Sequence, residues 1–408
     1  MKIAFLTAGG IAPCLSASIG ALIDSYNQLA PDAELMGYLN GYRGLLLGNN
    51  YDFPSSVRQK TDVLFKYGGS PIGNSRVKLT NKDNCVKHGY IKEGQDPLKV
   101  AADQLVNDNV NILHTIGGDD TNTMAAQLSF YLKQHQYELT VVGLPKTVDN
   151  DVYPIAQTLG AWTAAEQGAI FFENIANENT TSHRQLIIHE VMGRNCGWLT
   201  AYTAKEYHDR LKQRDFLPEL MIDQARWDVD AIYIPEKDFD FESECERLKQ
   251  LMDEKDSVNI FLSEGAGTNT IVKELKASGK KVSLDAFGHV ALDELNPGQW
   301  FAKKFTEKLN AEKTLVQKSG YFARSAAPNN EDLDLIRSSG KLAAEMALDG
   351  QSGVVGLDEE NKEELGLIDF EKIKGGKPFD YSQNWYNNCL LYTSDAADER
   401  SSVDLGGR

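Results

Sequence analysis

The chain has little of what would mark several common classes of protein. Cysteine is scarce and scattered: Cys14, Cys85, Cys196, Cys245 and Cys389, with no metal-ligand spacing. That pattern fits reduced thiols in a cytoplasmic enzyme rather than a disulfide framework. No run approaches the roughly 20 apolar residues that span a bilayer. The opening Met1-Lys2-Ile3-Ala4-Phe5-Leu6-Thr7 is too short for a secretion signal and leads straight into Gly9-Gly10. Positive charge is in deficit. A net charge of −17 argues against nucleic acid and anionic membrane as partners. It also requires any anionic substrate to be drawn by a local basic site. Low-complexity linkers and short-period repeats are missing too.

What is present is an ordinary globular composition, 41% hydrophobic and 25% charged, over 408 residues. That length provides core for two to three domains. Apolar strands alternate with amphipathic helices. Strands are expected at 3–7, 33–39, 110–116, 139–144, 185–191, 231–234, 258–262 and 314–318. Helices are expected at 13–29, 121–135, 162–177, 241–254, 300–312 and 331–349. This alternation predicts an α/β fold with parallel sheets covered on both faces. We expect two αβα lobes with the active site in a cleft between them. The first would span 1–160, completed by part of 321–360, and the second 161–320, followed by a C-terminal segment at 361–388. Residues 389–408 read as a non-native tail: Leu391-Tyr392-Thr393-Ser394-Asp395-Ala396 resembles a translated sequencing adapter. On that reading the native C-terminus is lost.

Two acidic loops about thirty residues apart carry the functional signal. One is Gly117-Gly118-Asp119-Asp120, the other Pro145-Lys146-Thr147-Val148-Asp149-Asn150-Asp151. Each follows an apolar strand, and open α/β sheets bind ligands where their strands end. Carboxylates with a lysine suit a metal, a phosphate and a base. Asp119 is the natural Mg²⁺ ligand, since Mg²⁺ takes one or two carboxylates and completes its shell with phosphate oxygens and water. A carboxylate in the second loop can accept a proton from an attacking hydroxyl, and Lys146 can neutralise phosphate charge. Gly9-Gly10 before a helix lets backbone approach phosphate oxygens. Helix capping by Asp119 and Asp120, or a plain Asp/Asn turn in the second loop, is the blander alternative. The Gly68–Arg76 stretch reads equally as a surface loop or a ligand loop.

Taken with Ala12-Pro13, Met192-Gly193-Arg194 and Gly320-Tyr321-Phe322-Ala323-Arg324, these loops resemble the phosphofructokinase family, in its order, over about residues 1–380. The resemblance implies two Rossmann-like lobes of the phosphofructokinase fold. Members that use inorganic pyrophosphate carry Asp and Lys at the positions of Asp120 and Lys146, where ATP-dependent members usually have glycine. It therefore implies reversible, Mg²⁺-dependent transfer from pyrophosphate to the 1-hydroxyl of fructose 6-phosphate, in glycolysis and gluconeogenesis. Asp120 would clash with and repel the α-phosphate of ATP.

By the same resemblance, Gly10 lies against pyrophosphate, Asp119 holds Mg²⁺ and Asp149 is the proton acceptor. Thr147 and Val148 complete the substrate loop. Met192, Gly193 and Arg194 line the sugar-phosphate pocket, Glu264 accepts from a sugar hydroxyl, and Tyr321, Phe322, Ala323 and Arg324 form the 6-phosphate segment. Arg184 is a candidate to reach substrate across a subunit interface, although register places Gln185 there. A homodimer or homotetramer is expected. Cys14 and Ser16 depart from the usual Gly and Asn of the first loop, which bears on donor contacts. Gly20 and Asp24 stand where many ATP-dependent bacterial relatives carry effector-binding arginines, so nucleotide regulation is not expected. The competing readings are an ATP-dependent enzyme, a lipid or NAD kinase with a Gly-Gly-Asp loop, and a noncatalytic sugar-phosphate-binding paralogue.

Overall fold

The protein is described here by a computed structural model covering residues 1–279, 295–373 and 375–387. Its strands, in chain order, are β1 (Lys2–Thr7), β2 (Glu34–Tyr38), β3 (Asn50–Asp52), β4 (Ile112–Gly117), β5 (Thr140–Pro145), β6 (Gln185–Val191), β7 (Ala231–Tyr233), β8 (Ser257–Ser263), β9 (Lys313–Lys318), β10 (Gly353–Asp358) and β11 (Glu364–Ile368). The longer helices are α1 (Leu15–Leu29), α2 (Pro97–Asn107), α3 (Asp119–Gln134), α4 (Ala161–Ile175), α5 (Trp198–Leu211), α6 (Phe241–Lys255), α7 (Thr268–Ala277), α8 (Pro297–Leu309) and α10 (Asn330–Leu348), with the short α9 (Gly320–Arg324) between the last two.

The chain divides into two compact units. The first is Met1–Ala164 with Arg324–Lys377, and the second is Ala165–Ala323 with the residues from Pro378. The described residues from 361 to 377 group with the first unit. The tail expected at 389–408 lies outside the described residues. Among the described residues, no helix is long and apolar enough to cross a membrane.

The first unit holds a seven-stranded sheet ordered β11-β10-β5-β4-β1-β2-β3. Its five central strands are parallel, and the edge strands β3 and β11 run antiparallel. β4 is buried at every position, as expected of a strand covered on both faces. Leu6, Tyr42, Leu105, Leu128, Val141 and Val354 belong to its core. Helix starts are secured by side chains. Asp96 accepts from Leu98 N before Pro97 opens α2, the favoured place for proline. Asp332, buried on α10, accepts from Gly160 N and Thr163 N at the start of α4, at 2.9 and 2.8 Å. The carboxylate there meets the positive end of the helix.

The second unit holds a four-stranded, wholly parallel sheet, β7-β8-β6-β9. β6 and β8 are buried throughout. Ile188, Tyr233, Ile260, Leu262, Phe301 and Phe305 fill one face. On the other, His189 packs among Phe171, Phe172 and Phe261.

Candidate active site

The first unit gathers three loops, each at the C-terminal end of a parallel strand. β1 ends in Gly9-Gly10, β4 in Gly117-Gly118 and β5 in Pro145-Lys146. Parallel register puts Thr7 beside Ile116 and Gly117 beside Pro145. The strand ends are therefore neighbours, and so are the loops. Ala8 N donates to Ile116 O at 3.0 Å and Lys146 N to Gly117 O at 2.8 Å. The Gly68–Arg76 loop belongs to this group. Ser75 O accepts from Gly9 N at 2.9 Å, and Ala12 O accepts from Gly69 N at 3.3 Å.

Lys146 is almost wholly buried and donates from Nζ to Gly10 O at 2.9 Å. Burial pushes its ammonium down to about 8. The Arg324 guanidinium pushes the same way, while Asp149 and Asp151 oppose it. Gly9 has φ +85, and a Cβ there would sit 3.2 Å from Lys146 Nζ. Only glycine fits that conformation without strain.

Asp119 opens α3, with Asp120 beside it in the first turn, where the helix dipole favours negative charge. Asp119 Oδ1 is buried with no hydrogen-bond partner among the described residues. Burial is the main cause of its carboxyl being raised above the usual range, and Asp120 and Asp151 add to the shift. Asp120 is held at 2.8 Å by Lys78, a residue that no sequence pattern singled out. Asn122 Nδ2 donates to both Gly117 O and Gly118 O at 3.0 Å and fixes the turn.

In the third loop, Asp149 N donates to Thr147 Oγ1 at 3.1 Å. Thr158 Oγ1 donates to Thr147 O at 2.8 Å. Asn150 takes φ +54, and its Oδ1 accepts from Thr158 N at 2.8 Å. Val148 is buried beneath. Burial raises the Asp151 carboxyl, with the Thr147 hydroxyl opposing. Four carboxylates, Asp119, Asp120, Asp149 and Asp151, and a buried lysine thus share one set of strand ends.

Arg324, expected at a 6-phosphate, lies beside the first loop. Its Nε donates to Ile11 O at 2.9 Å, and a Cβ at Gly10 would come within 2.0 Å of its Nη2. Those backbone groups sit within reach of the arginine, and it adds a second cation beside Lys146.

The second unit builds its candidate residues on backbone fit. β6 pairs with β8 so that Val191 faces Ser263, and the loops that follow interlock. Glu264 N donates to Val191 O at 2.9 Å, and Gly193 N to Glu264 Oε1 at 3.4 Å. Ser263 Oγ donates to Gly193 O. A Cβ at Gly265 would stand 1.9 Å from Arg194 O, so only glycine permits this approach. Met192, Gly193, Arg194 and Glu264 are therefore brought together. Tyr321 and Phe322 on α9 are exposed at 74% and 51%, Phe322 rests against Phe171, and Ala323 is buried. Arg184 immediately precedes β6. Its guanidinium is engaged within its own unit by Asp253 Oδ1 and the carbonyls of Leu309 and Asn310. At Gly20, a Cβ would meet Leu64 Cβ at 3.1 Å, a tight contact.

The phosphofructokinase family model matches residues 2–347. This chain belongs to the phosphofructokinase family. It is 57% identical over 389 residues to the pyrophosphate–fructose 6-phosphate 1-phosphotransferase of Methylomonas methanica, covering 95% of each chain. It is 52% identical over 404 residues to the protein of that name from Mastigamoeba balamuthi, covering 99% of this chain and 98% of the relative. The crystal structure of a pyrophosphate-dependent phosphofructokinase from Marinobacter aquaeolei superposes with a TM-score of 0.70 at 19% identity, covering 96% of this chain and 91% of that one. That likeness establishes the phosphofructokinase fold.

Proposed function

We propose that this phosphofructokinase is a diphosphate–fructose-6-phosphate 1-phosphotransferase. It moves a phosphoryl group reversibly from inorganic pyrophosphate to the 1-hydroxyl of fructose 6-phosphate. The products are fructose 1,6-bisphosphate and phosphate. The observation that carries the donor choice is the pairing of a buried Lys146, seated on Gly10, with an Asp120 carboxylate held by Lys78. An anion fixed at Asp120 repels a third phosphate and leaves room for a two-phosphate donor.

Asp149 takes the proton of the 1-hydroxyl as that oxygen attacks phosphorus. The new O–P bond forms while the bridging P–O bond of pyrophosphate breaks, and the bridging electrons leave on the departing phosphate. Lys146 stabilises that charge, which in a site sheltered from water is worth more than in bulk solvent. Arg324, beside Gly10 and Ile11, binds phosphate through its planar fork of donors. Met192, Gly193, Arg194, Glu264, Tyr321, Phe322 and Ala323 hold fructose 6-phosphate.

The residues at Asp119 fit a magnesium ion. Its buried Oδ1 lacks a hydrogen-bond partner among the described residues, and no group of three or more His, Cys, Asp or Glu converges there. A cation at Asp119 would take the rest of its shell from phosphate oxygens and water, as Mg²⁺ does. When bound, Mg²⁺ supplies neutralisation of charge on the phosphates. The working form is a homodimer or homotetramer.

A donor comparison at saturating fructose 6-phosphate tests this reading. Turnover is expected with Mg-pyrophosphate and at most traces with MgATP; the reverse result rejects it. Light scattering of the purified protein tests the assembly, and a monomer with full activity rejects it.

A further inference from the structure

Gly375, Gly376 and Lys377 lie beyond residue 347, where the match to the family model ends. The chain nevertheless returns there to the carboxylates at the ends of β4 and β5. Gly376 forms an antiparallel bridge with Val152. Tyr153 N donates to Gly375 O at 3.1 Å, and Lys377 N donates to Asp151 O at 2.7 Å. Lys377 Nζ donates to Ile155 O at 2.7 Å and pairs with Glu359. The two glycines are thereby pinned on both sides. A Cβ at Gly375 would lie 3.8 and 3.9 Å from the two carboxylate oxygens of Asp119. A Cβ at Gly376 would lie 3.9 Å from Asp151 Oδ2.

The geometry points to this Gly-Gly-Lys strap as a positioning element of the donor site: it walls the carboxylate face of Asp119, with Gly375 leaving room there for the hydrated divalent cation, Gly376 seated against Asp151, and Lys377 fixing the strap's distance. The inference rests on the assignment of Asp119 as metal ligand. A Mg²⁺ ion about 2.0–2.1 Å from a carboxylate oxygen keeps several of its waters. A methyl group on Gly375 would claim the space of one such water. Gly375 also has φ +91, a conformation that L side chains rarely adopt. An added Cβ would stand in van der Waals contact with the carboxylate, on the face where a metal-bound water would lie, and on strained backbone.

The test titrates Mn²⁺ into the full-length protein with methylenediphosphonate present and no sugar, following free Mn²⁺ by electron paramagnetic resonance. Gly375→Ala is expected to weaken Mn²⁺ binding about tenfold and Lys377→Gln about threefold, effects in or just below the range of residues that support metal ligands. Fructose 6-phosphate affinity by calorimetry should stay within about twofold, as for a change confined to the metal side. Where Gly375→Ala lowers the melting temperature, Lys377→Gln carries the test. Wild-type Mn²⁺ affinity in the properly folded variants overturns the strap. Equal loss of Mn²⁺ and sugar-phosphate binding overturns it as well, since that marks general damage. Asp119→Asn is the separating control. If it binds Mn²⁺ as the wild type does, the metal assignment itself fails.

Discussion

The candidate residues of the two units are held in contrasting ways. In the first unit, charge is placed where water is scarce: Lys146 is buried, Asp119 has an orphaned oxygen, and Asp151 is raised by burial. In the second, neutral backbone is packed to contact, with Gly193 and Gly265 admitting the approach of the β6 and β8 loops. The contrast teaches that one side is tuned by electrostatics and the other by shape. A phosphoryl donor needs its charge handled, whereas a sugar phosphate needs to be oriented.

The sharpest way to break this contrast is Asp149→Ser. Loss of the base should cut kcat by about 10³-fold, within the span of general-base contributions. Fructose 6-phosphate affinity by calorimetry should change little. Unchanged turnover removes Asp149 from the proton-accepting role.

Gly265→Ala probes the shape side. A methyl group cannot sit 1.9 Å from Arg194 O, so the backbone must shift. The expected result is a rise of about tenfold or more in KM for fructose 6-phosphate, the scale of a misplaced positioning group. The KM for pyrophosphate should hold. Equal effects on both substrates would erase the distinction between the sides.

Lys146→Met probes the charged side through stability. The folded value of about 8 lies below the ordinary 10.5. The unfolded chain therefore binds more protons between those two values, and stability rises with pH through that window. At pH 7 the buried charge costs on the order of 3 kcal/mol, part of it offset by the bond to Gly10 O. Lys146→Met should be more stable than the parent by about 1–2 kcal/mol at pH 7 in urea unfolding. The gap should close between pH 8 and 10.5. A gap independent of pH would mean that the lysine is not the group responsible.

The smallest effect is expected from Lys78→Gln. Asp120 is 64% exposed, and such pairs contribute about 0–1 kcal/mol. Less than about a threefold change in KM for pyrophosphate is expected on that scale. A larger one would mean that Lys78 touches the donor itself.

The charged side was the more legible in the sequence. Gly117-Gly118-Asp119-Asp120 and Lys146–Asp151 follow uninterrupted apolar strands, so both their position and their chemistry show in the residues. Gly193 and Glu264 were found by resemblance, but their interlocking depends on the β6–β8 register, which no local pattern encodes. β10 and β11 escaped the periodicity reading. Gly353-Val354-Val355-Gly356 is short and glycine-flanked, and its strand character comes from pairing with β5 far away in sequence. The φ of +46 at Arg184 and its partners Asp253, Leu309 and Asn310 are set by tertiary structure and show in no local pattern. Lys78 and the Gly375–Lys377 strap carried no motif. Only the folded chain brings them to Asp119, Asp120 and Asp151.

The pairing of β10 with β5, Gly353 against Val142, has a consequence for synthesis. At about 5–20 residues per second, the ribosome takes roughly 10–40 s to deliver the neighbour that β5 awaits. Strands β6 to β9, with the segments that link them, are all made within that interval. All residues of the four-stranded sheet are therefore synthesised while the seven-stranded one still lacks β10 and β11 beside β5. Until β10 arrives, the β5 edge is a place for a chaperone's cover, and only after it closes can β11 and the Gly375–Lys377 strap dock.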